Sequence, residues 1–551
     1  MKTRFQALLL WFAVLMMSNN ALAQATASDA FAAASPDMEL PLVAALRAEY
    51  GSSNVTLIQV NTDVLRTTAA DAPVTLNVTP TLRFAGVTRE TQELGQGRYL
   101  WRGELSGAGD LPEGSATLVI NGDNLTGSIT SPQGDTYKIQ PVGNGVNAVI
   151  KVNYAEKYPN QGPPRRPYGG GTQDTKSSAD LDDMQVAADG APVIDVLVVY
   201  TQSVAAASND VISLIALAVS ETNTSFTRSQ INASIRLVGT MQINYTEPKT
   251  ANGLADWDQM LRFATNNSNI AQQRNAVGAD LVVFLVNHTA YCGMAWVNSN
   301  AAYAFSAVHY GCATGNYTFA HEIGHNLGAG HDTETDINPY YSYGHGHLQR
   351  TGGWHTIMSY PCSDNRCRTR IQNWSNPSVN YGTHPTGNTA TDNNARVWNE
   401  RAATVAAFRS PVHTVSTNAG TGGSISPASA QVNSGAPHTF TVTPNAGHYI
   451  SSISGCGGTA FTGNSSHTSA RSYTTGAITA ACTVSATFTA SSASFAFQEA
   501  FSRKTHGSSG TFDLPISATG SLMSSNPITV EPRSGGTNRA FEVVFRFTGT
   551  V

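Results

Sequence analysis

The chain has 551 residues, with 32 Lys and Arg against 37 Asp and Glu, a formal net charge of −5, and only 13% charged residues. That balance lacks the basic footprint of a nucleic-acid binder, and the length calls for several domains. The six cysteines all lie beyond residue 290, which suits an oxidising compartment rather than a reducing one.

The first 23 residues read as a cleaved signal peptide, and hence as export to the outside of the cell. Lys2 and Arg4 form a charged start, ALLLWFAVLMM (7–17) an apolar run too short to span a bilayer, and Ala21-Leu22-Ala23 a small-residue cleavage site. No later stretch is long and apolar enough for a transmembrane segment. Residues 24–190 read as a propeptide with its linker. RYLWRGEL (98–105), ATLVING (116–122) and DTYKIQPV (135–142) alternate between turn residues, as in a small antiparallel β domain over 76–150. The stretch QGPPRRPYGGGTQDTKSSADLDD (161–183) reads as a linker open to proteolytic nicking.

From Pro192 the pattern changes. IDVLVVYT (194–201) and ADLVVFLVN (279–287) read as buried strands and SIRLVGTMQINYT (234–246) as an alternating one; GMAWVNS (293–299) and AYAFSAVHY (302–310) are two more. Residues 210–226 place Val211, Leu214, Ile215, Ala218, Val219, Thr222 and Phe226 on one helical stripe, and WDQMLRFA (257–264) reads as a second helix. A closing helix over 393–408 aligns Val397, Trp398, Arg401, Ala402, Val405 and Phe408.

The most informative stretch is HEIGHNLGAGHD, His321 to Asp332. His321 and His325 are four apart, so a helix sets their imidazoles on one face. Gly328 permits the positive φ that ends the helix and returns the chain, which brings in His331. Three imidazoles suit one Zn²⁺ and leave a fourth position for water, as a catalytic site requires. Glu322 then stands beside the first ligand as general base, taking the proton of that water in peptide hydrolysis. TIMSY follows, with Met358 27 residues after His331.

HExxHxxGxxHD with IMSY resembles the metzincin metalloendopeptidases, and most of all the bacterial peptidyl-Asp metalloendopeptidases. PVIDVLVVYT (192–201), CGMAW (292–296) and WSNP with DNNARVWNERAATVAAFR (374–409) extend the resemblance over about 192–410. It implies an α/β catalytic domain over 191–410, a twisted mixed sheet with the active-site helix, in which GMAWV is the edge strand that pairs with an extended substrate. It further implies Met358 as the floor under the imidazoles and Tyr360 as a donor to the oxyanion. Asp332 is expected to orient the loop after the third ligand. The loop after the methionine walls the pocket for the residue following the cut bond, and here it carries Arg366, Arg368 and Arg370. A guanidinium suits a carboxylate, which agrees with the acidic (Asp/Glu) preference the resemblance implies. A solvated basic loop fits the same residues equally well.

Connectivity of cysteines is not fixed by sequence. Locality favours Cys292 with Cys312, Cys362 with Cys367 and Cys456 with Cys482. His345 and His347, like His309, His355 and His384, read as solvent-facing loop residues. The 24–190 segment has no cysteine to block a metal, so latency would come from a carboxylate or from occlusion. Self-cutting before Asp180, Asp182 or Asp189 is expected, against the alternative of another protease acting at Arg165-Arg166.

Residues 412–490 alternate strictly, as in HTFTVTP (438–444) and CTVSATFT (482–489), and resemble internalin B-repeat modules. Residues 491–551 read as a partial β domain ending on AFEVVFRF (540–547). The expected partners are protein or peptide substrates, with a cell-surface or polymer ligand for the C-terminal modules. The other function class that fits is an inactive protease-like adhesin that binds surface polymers through those modules.

Overall fold

In the computed structural model the described residues are 28–35, 38, 40–107, 114–157, 165, 190–250, 252–253, 256–288 and 290–491, together with the backbone of two paired strands, Ser494–Glu499 and Ile516–Ser521. The leader at 1–23, most of the linker and the AFEVVFRF stretch lie outside them. Among the described residues no single helix is long and apolar enough to cross a membrane. The chain divides after His413 into two units.

The first unit begins with ten strands: β1 (Ser28–Asp29), β2 (Phe31–Ala33), β3 (Val55–Val60), β4 (Pro73–Thr79), β5 (Leu82–Gly95), β6 (Arg98–Leu105), β7 (Gly114–Asn121), β8 (Asn124–Thr130), β9 (Thr136–Gly143) and β10 (Val146–Val152). They form one sheet in the order β1-β4-β5-β6-β7-β8-β9-β10-β3-β2. Its two ends are consecutive pieces of a single segment, Ser28–Ala33, which pairs with β4 through its first half and with β3 through its second. The sheet therefore closes on itself, a larger β structure than the 76–150 pattern alone suggests. Trp101, Leu118, Ile129 and Ile139 fill its interior. Strands β7 to β9 are buried on both faces, because their outer face packs on the rest of the unit.

The second part of this unit is a five-stranded sheet: β11 (Val193–Thr201), β12 (Ser234–Ile243), β13 (Leu281–Val286), β14 (Gly293–Ala295) and β15 (Phe305–His309), in the order β12-β11-β13-β15-β14. All pairings are parallel except β14 with β15. The central strand reads LVVFLV without alternation, as a strand covered on both faces must. Ile194, Val196 and Val198 face one core, which also takes the helix Val211–Arg228. Leu197 and Val199 face the other, built on the helices Trp257–Asn266 and Ser268–Val277. The last of these has no counterpart in the sequence reading. Its residues SNIAQQRNAV are mostly polar, and Asn267 ends one helix while its side chain caps the next. Strand β14 is shorter than GMAWVNS implied, because Asn298 and Ser299 turn their N–H groups to His325 O and Asn326 O. The closing helix, Asn394–Val405, buries Val397, Trp398, Ala402 and Val405, and Trp398 packs on Phe226 and Trp374.

The second unit holds a five-stranded and a three-stranded sheet within 412–490. Its strands alternate buried and exposed residues, as in Thr439–Pro444, so Phe440, Val442, Ile450 and Val484 share one interior. Disulfides join Cys292 to Cys312, Cys362 to Cys367 and Cys456 to Cys482.

Candidate metal centre and active site

The helix Thr318–Leu327 is buried along its whole length. Gly328 ends it at φ 106°, with the Gly328 N–H bonded to Gly324 O and His325 O, and Ala329 N–H bonded to Gly324 O at 2.9 Å. A Cβ at Gly328 would meet the Tyr341 ring at 2.8 Å, so backbone angle and space both require glycine there. Gly324, inside the helix, has Trp374 at 2.7 Å and Met358 Sδ at 2.9 Å from where a Cβ would stand. Met358 and Trp374 thus form a tight floor beneath the helix.

Above that floor three histidines converge. His321 Nε2 lies 3.2 Å and His325 Nε2 2.9 Å from His331 Nε2. His321 Nδ1 donates to Ile357 O at 2.8 Å and His325 Nδ1 to Ala329 O at 2.9 Å. Donation through Nδ1 leaves Nε2 of both rings as bare acceptors. Two bare acceptors converging on the His331 ring nitrogen make a donor set that a cation could take. The rings are buried, which lowers the His325 pKa to about 4 and holds those of His321 and His331 well below the usual imidazole range. Neutral rings are the form that ligates a metal. Among the described residues these three are the group of His, Cys, Asp and Glu placed to hold one.

Glu322 sits on the same helix, 1% exposed, and both its carboxylate oxygens lack a hydrogen-bond partner among the described residues. Burial pushes its carboxyl well above the ordinary range, against the opposing charge of Arg370. Gly293, first residue of β14, gives it room: a Cβ there would lie 2.3 Å from Glu322 Oε1. Tyr360 packs against His331 in a tilted ring pair with centroids 4.6 Å apart. Asp332 Oδ2 accepts the Tyr360 N–H at 2.9 Å, and Asp332 Oδ1 accepts from Glu334 N and Thr335 N. That carboxylate therefore ties the third-histidine loop to the segment carrying Met358 and Tyr360.

The three arginines of the following loop separate. Arg366 is exposed and paired with Asp364. Arg368 is exposed at the mouth of a cavity of about 400 Å³. Arg370 lines the same cavity beside Tyr360, and its guanidinium donates to Asn316 O at 3.0 Å and Ser359 O at 2.8 Å. Burial lowers its pKa to about 10, which leaves it charged. Sequence gave no means of telling these three apart, since the difference lies in which carbonyls the fold presents.

Four of the histidines expected to face solvent do not. His345 is buried with Nδ1 donating to His331 O at 2.7 Å, and His347 pairs with Asp392 at 2.7 Å. His309 Nδ1 accepts from Gly311 N, and His355 Nδ1 donates to Cys367 O. His309 is held inside strand β15, and the loops after the active-site helix fold over that helix so that His345 and His355 bond main-chain carbonyls and His347 the Asp392 carboxylate. His384 stays partly exposed.

The family described as metallo-peptidase family M12 matches residues 191–375, and a divergent InlB B-repeat domain matches residues 413–492. The chain is 36% identical over 351 residues to a peptidyl-Asp metalloendopeptidase of Stenotrophomonas maltophilia (strain K279a), covering 59% of this chain and 81% of that one. It is 36% identical over 309 residues to the protein of the same name from Xanthomonas campestris pv. campestris, covering 54% and 70%. A Pseudomonas fragi protein of that name is 45% identical over 100 residues, covering 18% and 62%.

Proposed function

We propose, from the premise that this chain belongs to the peptidyl-Asp metalloendopeptidase family and is a metalloendopeptidase, that it is an exported zinc enzyme that cuts peptides before acidic residues. The observation that carries the reading is the convergence of three imidazole nitrogens beside a buried carboxylate with no partner.

His321, His325 and His331 would hold the ion, with Nδ1 of the first two fixed by carbonyls so that Nε2 points inward. A zinc ion held by these residues would supply a Lewis acid for the scissile carbonyl and lower the pKa of bound water. Glu322 takes the proton of the attacking water and returns it to the leaving amine, from a carboxylate left without other partners. The Tyr360 hydroxyl, held over His331 through Asp332, donates to the oxygen that gains negative charge. The carboxylate of the residue after the cut enters the cavity beside Tyr360 and meets Arg370, already positioned by two main-chain carbonyls.

Metal analysis of the secreted protein should give one zinc per chain, and none after His331→Ala. A library varied at the residue after the cut tests the pocket. Arg370→Ala should lower kcat/KM for Asp and Glu by about 100-fold or more while changing Ala by less than about 3-fold, because the gain comes from one charged contact. Arg368→Ala should stay near wild type. An Arg370→Ala enzyme with its acidic preference intact ends the assignment. Export by the 1–23 leader predicts a secreted N-terminus at Gln24 or beyond, and one at Met1 rejects it.

A further inference from the structure

Two short strands meet at the cavity beside Tyr360. Trp354–His355 pairs in parallel with Thr369–Arg370, and the register sets His355 opposite Arg370. Residues opposed across a strand pair turn their side chains to the same face, and both of these line the cavity. His355 is 2% exposed. Its Nδ1 donates to Cys367 O at 3.0 Å, and the Cys362–Cys367 disulfide closes the loop that carries this carbonyl. A neutral ring that donates through Nδ1 presents Nε2 as an acceptor. Arg370 supplies the cavity's positive charge, but two of its donors already go to Asn316 O and Ser359 O. A carboxylate has about four acceptor sites to satisfy. The imidazole across the strand pair offers it another acceptor, and two acceptors repel unless a proton lies between them.

We propose that an acidic side chain enters this cavity together with one proton, held between its carboxylate and His355 Nε2, so that His355 is a second determinant of the acidic preference beside Arg370. The inference rests on the reading of this cavity as the pocket for the residue after the cut. The proton comes from solvent, and no other bond is made or broken. Imidazolium with carboxylate and imidazole with carboxylic acid carry the same number of protons, so the uptake is the same for either form of the pair.

Without substrate the ring is neutral, because burial and the Arg370 cation hold His355 well below the usual imidazole range. An entering carboxylate offsets that cation and brings an acceptor, so it reverses the second of these causes. The other ionisable groups that line the cavity are Arg368 at its mouth, Tyr360, Tyr154, and Asp135 with Lys151, which pair at 2.9 Å. The hydrogen bond from Lys151 to Asp135 raises the Lys151 pKa, burial raises that of Tyr360, and Arg370 stands at about 10. These three keep their protons between pH 6 and 8, so a change of preference across that range is read from His355 and the carboxylate it faces.

The test counts protons as well as cleavage. Two peptides carry an uncleavable ketomethylene group in place of the scissile amide, one followed by Asp and the other by Asn. Calorimetric binding to the active enzyme at pH 7, repeated in buffers of different ionisation enthalpy, gives the proton uptake of each. Wild type should take up about one proton more with the Asp peptide than with the Asn peptide. For the cleavable versions, the ratio of kcat/KM for Asp over Asn should fall by about tenfold or more between pH 6 and 8, because a complex that needs a proton weakens as protons become scarce. His355→Gln places an amide N–H, a donor at every pH, at about the reach of Nε2. It should abolish the extra proton and hold the ratio within about twofold over the same range. Equal uptake of the two peptides by wild type, or an extra proton that persists in His355→Gln, overturns the proposal. Should the variant not be produced, the wild-type calorimetry decides alone. An Arg370→Ala enzyme that keeps its acidic preference would instead overturn the reading of the cavity. Loss of that preference in Arg370→Ala, with no extra proton in wild type, would overturn the role of His355 alone.

Discussion

Glu221 and Glu322 are both helical glutamates sealed from solvent, 3% and 1% exposed, and burial drives both carboxyls upward. Their surroundings differ. Glu221, on the helix Val211–Arg228, accepts hydrogen bonds from Ser128 Oγ of β8 and from Gly315 N at 3.0 Å, and it titrates near 7. It joins the N-terminal sheet to the loop that leads into the active-site helix. Glu322 has no such partners among the described residues, although the same fold satisfies nearly every imidazole around it. A buried carboxylate with its acceptors filled reads as structural; one left empty beside a cluster of imidazole nitrogens fits the catalytic role proposed for Glu322.

That contrast can be broken most decisively at Glu322. Glu322→Gln should lower peptide hydrolysis by about 10⁴-fold while zinc content stays at one per chain. Stability in denaturant unfolding should change little, because burial already drives the carboxyl towards its neutral form and the amide that replaces it is equally without a partner. A destabilised Glu322→Gln chain would mean that the carboxylate has structural partners after all.

At Glu221 the expected effect is on pH dependence. Below about pH 4.5 the group is protonated folded and unfolded alike. As pH rises through about 7 the folded chain must bury a charge that the unfolded chain exposes, so stability present at low pH is lost across that window, by on the order of 3 kcal/mol. Glu221→Gln should flatten the melting temperature of the uncut chain between pH 4.5 and 7 relative to wild type, with zinc content unchanged. Parallel melting curves for the two proteins would contradict this.

The smallest effect should come from removing the second unit. A chain ending at Ser410 should cleave short peptides within about 2-fold of the full chain and keep both glutamate phenotypes, since the B-repeat module is proposed to serve attachment or targeting. A folded but inactive truncated chain would place that module within the catalytic unit.

How much of this was readable in the sequence depends on distance along the chain. The ligands, Glu322 and the Gly328 turn lie within one short stretch, where helix period and glycine geometry dictate the arrangement. Met358 was readable from its motif, but its contact with Gly324 and Trp374 was not, because Trp374 comes from a loop with no period. The helix Ser268–Val277 escaped notice for lack of an apolar stripe. Nothing in the helical stripe marks Glu221, since its partners come from β8 and from the loop before the active-site helix. His355 stood in a stretch legible only as loop, and its place opposite Arg370 is set by a pairing of two-residue strands.

The compactness of the ligand set bears on how this protein folds. His321, His325 and His331 span 11 residues joined by one helix and one turn, so closing the loop between them costs little chain entropy. Even an unfolded chain keeps all three imidazoles within short reach and retains some affinity for the ion. Metal added during refolding should therefore be captured early, before the distant floor of Met358 and Trp374 arrives. For the same reason its stabilisation of the finished fold should fall short of what native-state affinity alone would give, because the denatured chain competes for the same ion.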